Sequence, residues 1–78
     1  MIYNKMEVFK IKNYNVEISK ENESTVAIIN ESYLSIPNTE TAILAAIKAY
    51  EIFTYEKLTE EEISVVFFEN NFYSGAVW

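Results

Sequence analysis

The sequence predicts an α+β domain: a short N-terminal helix, a three-stranded antiparallel sheet, and two C-terminal helices packed on one face of it. Three observations predict this. Residues 14–36 hold three short apolar or alternating runs separated by polar pairs and clusters, the pattern of strands joined by tight turns. Residues 42–53 place apolar side chains at a period of 3.6. Thr59-Glu60-Glu61-Glu62 stands ahead of a second apolar stripe and has the form of a capping box. Strands in one block and helices in the next define the α+β class. With 78 residues, one Pro, one Gly and no repeat or linker, residues 1–78 read as a single domain.

Residues 1–13 fit two descriptions. Met6-Glu7-Val8-Phe9-Lys10-Ile11-Lys12 can be read as a strand. Asn4 followed by Glu7 fits a helix cap, and Ile2, Met6, Phe9 and Lys10 make a short amphipathic stripe, so the helix is the preferred reading. Tyr14–Ser19 alternates, with Tyr14, Val16 and Ile18 inward. Lys20–Ser24 forms a polar turn. Thr25–Ile29 is apolar and β-branched and is expected in mid-sheet, buried on both faces. After the Asn30-Glu31 turn, Tyr33–Ile36 is the third strand, stopped by Pro37.

Asn38 or Thr39 is expected to cap the next helix, with Glu40 in its positive first turn. Its inward stripe is Ala42, Ile43, Ala46, Ile47, Tyr50 and Phe53. In the last helix Thr59 is the expected cap, Leu58 and Ile63 form a hydrophobic staple, and Ile63, Val66 and Phe67 face the core. Asn70-Asn71 is the expected left-handed stop. The tail 72–78, rich in aromatic residues, is expected to pack back on the domain or meet a partner.

Composition narrows the chemistry. There is no Cys, His, Arg, Asp or Gln; the twelve acids are all Glu and the six bases all Lys. Disulfides and Cys/His zinc sites are therefore excluded, and imidazole or thiol catalysis with them. The only Gly lies in the tail, so no phosphate-binding glycine loop exists. Adjacent carboxylates such as Glu60 and Glu61 lack any sign of a pocket. A non-enzymatic protein without metal or cofactor is expected. No apolar run approaches the roughly 20 residues of a membrane span, and no secretory leader is visible, so a cytoplasmic protein is expected.

The net charge of −6 is uneven. Residues 1–20 carry four Lys against two Glu, or +2; residues 21–78 carry ten Glu against two Lys, or −8. Such a field repels nucleic acid and favours a basic protein surface. The candidate contact residues are Glu21 and Glu23 in the first turn, Glu31 in the second, and Tyr55, Glu56, Glu60, Glu61 and Glu62 around the start of the last helix; the two turns of a three-stranded sheet lie at opposite ends, so either Glu21 and Glu23 or Glu31 shares a patch with an interhelix end. Carboxylates on rigid turns can stand where phosphates stand, and a Lys/Arg site built for DNA accepts them. Helix capping alone also accounts for Glu60–Glu62. Tyr3, Tyr55, Phe68, Tyr73 and Trp78 fall off the core stripes and are candidate interface anchors.

Three stretches carry a family likeness: Asn4–Ser19, ending Tyr14-Asn15-Val16-Glu17-Ile18-Ser19; Tyr33–Tyr50, above all Thr39-Glu40-Thr41-Ala42-Ile43-Leu44-Ala45-Ala46-Ile47; and Tyr55–Ile63 with its Glu run. In these the chain resembles the small acidic anti-CRISPR proteins, from phages of Gram-positive hosts, that inhibit Cas9. The resemblance implies a helix, a three-stranded sheet and two helices. It also implies a DNA mimic in which the same candidate positions, with Asn22 added between Glu21 and Glu23, occupy the PAM-reading site of a Cas effector. The chain departs from that family in its shorter second turn, basic N-terminal segment, lack of Asp and apolar tail. A shorter stretch, Glu31-Ser32-Tyr33-Leu34-Ser35-Ile36-Pro37, is similar to the strand that phage inhibitors of uracil-DNA glycosylase push into that enzyme's DNA groove. The expected protein is a monomeric inhibitor of a basic, nucleic-acid-binding host protein, touching neither nucleic acid nor membrane. The alternatives are a phage inhibitor of uracil-DNA glycosylase that acts by the same mimicry, and a phage structural or assembly subunit that oligomerises through its aromatic tail.

Overall fold

A computed structural model describes residues 5–21, 24–37 and 41–70. The chain forms β1 (Lys5–Ile11), β2 (Tyr14–Glu21), β3 (Ser24–Ile29), β4 (Ser32–Ile36), α1 (Ala42–Thr54) and α2 (Glu60–Glu69). The sheet is an antiparallel meander in the order β1-β2-β3-β4. The class is α+β, as expected, but the expected N-terminal helix and three-stranded sheet are replaced by a four-stranded sheet.

The physical reason lies in residues 7–14. As a strand, Glu7, Phe9 and Ile11 share one face, and Phe9 and Ile11 are buried. A helix through the same residues leaves Ile11 off its apolar stripe. Lys12 and Asn13 are all that separate Ile11 from its partner Tyr14, so β1 folds straight back on β2 and pairs from Lys5↔Lys20 to Ile11↔Tyr14. Lys12 takes a left-handed φ of 56°, which such a turn demands. Asn4, the expected cap, lies outside the described residues.

Val16, Ile18, Ala27 and Ile29 join Phe9 and Ile11 on the covered face of the sheet. α1 lies across them, burying Ala42, Ile43, Ala45, Ala46, Ile47, Ala49 and Tyr50. Four buried alanines let the helix axis approach the strands closely, and the Ile side chains fill the space between. α1 starts later than expected: Thr41 is the cap and its Oγ1 accepts from Leu44 N–H at 3.3 Å, while the expected caps Asn38 and Thr39 lie outside the described residues. β3 also departs from expectation. It is interior to the sheet, yet only Thr25, Ala27 and Ile29 are fully buried; Val26 and Ile28 are half-buried on the face opposite the helices, beside exposed Met6, Val8 and Tyr33. Among the described residues no element packs on that face.

The turns fix which residues share an end of the sheet. Lys12–Asn13 and Asn30–Glu31 lie at one end; the link between Glu21 and Ser24 lies at the other. Asn30 and Glu31 both have positive φ, 53° and 68°, as in a two-residue hairpin of type I′. α1 ends at the first of these ends, where Tyr14 meets Tyr50 and Phe53 edge to face, with ring centroids 5.6 and 5.9 Å apart. α2 flanks β1. Its C-cap Asn70 does not take the expected left-handed turn (φ −96°); instead its amide grips the free edge of β1, accepting from Lys10 N–H at 2.9 Å and donating to Lys10 C=O at 3.0 Å.

Candidate acidic interface

The segment between the helices is held by the chain's own polar groups. α1 closes on Tyr55, whose N–H donates to Glu51 C=O at 2.9 Å. Thr54 Oγ1 donates to Tyr50 C=O and accepts from Glu56 N–H. Tyr50 OH donates to Glu56 Oε1 at 3.4 Å, and Leu58 N–H donates to Glu51 Oε2 at 2.9 Å. Burial pushes the Tyr50 hydroxyl pKa up, and the neighbouring Glu56 carboxylate adds to the rise.

The capping box read from the sequence is present. Glu62 N–H donates to Thr59 Oγ1 at 3.1 Å, and Thr59 N–H donates to Glu62 Oε1 at 2.9 Å. The other Glu62 oxygen meets Lys12 Nζ at 2.9 Å. The Lys12 ammonium and the Thr59 N–H hold the Glu62 carboxyl below its ordinary value, and the same carboxylate raises Lys12. Leu58 is buried as a staple requires, and Val66 is buried while Ile63 and Phe67 pack partly against the core.

Three glutamates are thus engaged in structure: Glu51, Glu56 and Glu62. Glu60, Glu61 and Glu69 are exposed on α2 with no hydrogen-bond or ion-pair partner among the described residues. From 51 to 69 the chain has six Glu against Lys57, or −5 of the total −6. Leu58, Glu61, Glu62, Val65, Val66 and Glu69 recur at helical spacing and line an open hollow of about 330 Å³, together with Lys12. Val65 is half exposed there.

Of the residues singled out from the sequence, Glu56 and Glu62 are brought to the Lys12–Tyr14 turn through Tyr50 and Lys12. Glu60 and Glu61 stand beside Glu62 in the first turn of α2, Glu31 lies at the same end of the sheet, and Tyr55 shares a hollow with Pro37, at the other end of β4. Glu31 is set aside from the Lys12 turn by two strand spacings, roughly 10 Å. Glu21 ends β2 at the opposite end and cannot share that surface; Asn22 and Glu23 lie outside the described residues. Of the suggested anchors, Tyr55 and Phe68 are exposed at 95% and 74%; Tyr3, Tyr73 and Trp78 lie outside the described residues. Sequence reading misses Glu69, although it stands two turns beyond Glu62 on the same side of the helix. It also misses Lys12 as the ion-pair partner, because that contact depends on the unexpected β1–β2 turn.

Tyr55 carries a cost without a structural return. Its φ of 63° is left-handed, a conformation that favours Gly or Asn at a helix end, and its ring is almost wholly exposed. Tyr55→Gly is therefore expected to stabilise the fold by about 0.5–1 kcal/mol in urea unfolding, while weakening partner binding if the ring is an anchor. A loss of stability in Tyr55→Gly would show that the ring is structural.

Among the described residues no group of three or more acidic, His or Cys side chains is placed to hold a metal, and no helix is long and apolar enough to cross a membrane. In comparisons with protein families, curated proteins and solved structures, the chain matches no family model, no curated protein and no solved structure.

Proposed function

We propose that this protein is a small non-enzymatic inhibitor that offers carboxylates to a basic nucleic-acid-binding groove of a host protein and so keeps nucleic acid out. One observation carries the reading: Glu60, Glu61 and Glu69 are exposed, with no partner among the described residues, on a helix whose start is fixed by a capping box and an ion pair. The helix backbone that carries them is already fixed, so a cationic groove that closes on them has only their side chains to order. The corresponding target is a protein rich in Lys and Arg, in the cytoplasm of a bacterial cell. A Cas effector is the target suggested by the family resemblance, although the N-terminal helix that resemblance implied is a strand.

The test is competition. The chain is titrated into a Cas9–guide complex bound to a labelled PAM-containing duplex, and in parallel is immobilised to capture proteins from bacterial lysate at low and high salt. Displacement of the duplex, or capture of a nucleic-acid-binding protein that is lost at high salt, is the expected result. Glu60→Lys with Glu61→Lys and Glu69→Lys is expected to weaken that binding by about 10–100-fold. Salt-insensitive capture untouched by the triple variant would overturn the reading.

A second reading rests on a different observation. Ser32–Ile36 is an edge strand with exposed Glu31 at its tip, a shape that can enter a DNA groove as the glycosylase inhibitors' strand does. Inhibition of uracil-DNA glycosylase that is lost in Glu31→Lys and retained in the triple α2 variant would select it.

A further inference from the structure

The two edges of the sheet are treated differently. At β1 the outward N–H and C=O of Lys10 are both taken by Asn70, and α2 stands alongside. At β4 nothing comparable is present among the described residues. The two-residue turn makes Ile29↔Ser32 the closing pair, so the backbone groups of Tyr33 and Ser35 point away from β3. They have no partner among the described residues, and both residues are exposed, Tyr33 at 75%. The strand Ser32-Tyr33-Leu34-Ser35-Ile36 contains no charge and no Pro, the devices that usually blunt an edge.

We infer that this edge pairs with the same edge of a second copy, antiparallel across a two-fold axis at Leu34, making one continuous eight-stranded sheet. Tyr33 then exchanges backbone hydrogen bonds with Ser35 of the second copy, and Ser35 with its Tyr33. The strand's own symmetry selects the occupant, because its two outward residues, Tyr33 and Ser35, stand evenly about Leu34 and match their counterparts in an inverted copy. A chain of net charge −6 repels its own copy over most approaches, but β4 presents a neutral strand. In this register Glu31 of each copy falls opposite Pro37 of the other, so no like charges meet. Leu34, partly buried against the core, meets its counterpart at the axis and extends the apolar layer. The carboxylates of α2 lie beyond β1, at the far side of the sheet, and stay free, so edge pairing is independent of the inhibition proposed for α2, whereas it occupies the strand that the glycosylase reading uses.

Sedimentation equilibrium of the full chain tests it. The weight-average mass is expected to rise from 9.1 kDa towards twice that value as concentration increases from about 10 µM to about 1 mM. Amide exchange at Tyr33 and Ser35 is expected to slow in parallel. Ser35→Pro removes an outward donor without touching the β3–β4 ladder, and Ser35→Lys adds a charge to the edge. Both are expected to stay monomeric with native circular dichroism; should Ser35→Pro not fold, Ser35→Lys and the wild-type exchange data decide. A monomer at every concentration overturns the inference. So does a dimer that survives a folded Ser35 variant, or one lost only on deleting residues 71–78.

Discussion

The substitution Ile43→Ala is expected to lower the unfolding free energy by about 2–5 kcal/mol. Ile43 is fully buried in the first turn of α1, within a core whose other large members are Ile11, Val16, Ile18 and Ile29. The helix around it is rich in alanines, too short to move into the space left behind, so the cavity term adds to the lost transfer free energy. A domain of this length holds roughly 4–12 kcal/mol in all. The variant should therefore be partly unfolded at 37 °C, with its urea midpoint, followed by far-UV circular dichroism, far below wild type. Leu44→Ala, one position on and exposed, is the control and is expected to stay within about 0.5 kcal/mol. A cost below about 1 kcal/mol at Ile43 would mean that α1 is not seated on the sheet through this residue.

Asn70→Ala is expected to cost about 1–3 kcal/mol. One amide makes three contacts: it accepts from Lys10 N–H, donates to Lys10 C=O, and donates to Val66 C=O at 2.8 Å. Alanine removes all three and leaves β1 with a bare edge, so association at high concentration should rise as stability falls. Asn70→Asp keeps an acceptor for Lys10 N–H but loses the donor. Exchange at the Lys10 amide should accelerate in the Ala variant and stay close to wild type in the Asp variant. Equal acceleration in both would show that the amide's acceptor is not what protects β1.

The parts of the fold that are legible in the sequence are those with one dominant local signal. Tyr14–Ser19 alternates cleanly, the α1 stripe runs over three turns, and Thr59–Glu62 combines a cap, its reciprocal acid and a staple. Residues 6–12 mislead because Met6, Phe9 and Lys10 satisfy a helical spacing almost as well as Phe9 and Ile11 satisfy a strand. What decides between them is tertiary: a sheet face with Val16 and Ile18 awaiting a partner strand. Asn70 misleads for a related reason. Its usual role at a helix end is set by backbone conformation, whereas here a strand sixty residues away claims its side chain. At the acidic end, the sequence shows where the glutamates stand but not which are already engaged. Glu51 and Glu56 become structural only once Leu58 N–H and Tyr50 OH are brought to them.

The meander has a kinetic corollary. Each strand lies beside its neighbour in sequence, so the sheet can assemble hairpin by hairpin with short loop closures, which favours rapid folding. The clasp between Asn70 and Lys10 spans nearly the whole described chain and must bear the largest closure entropy. It is the natural last step. Weakening it should chiefly hasten unfolding and leave the rate of folding almost unchanged.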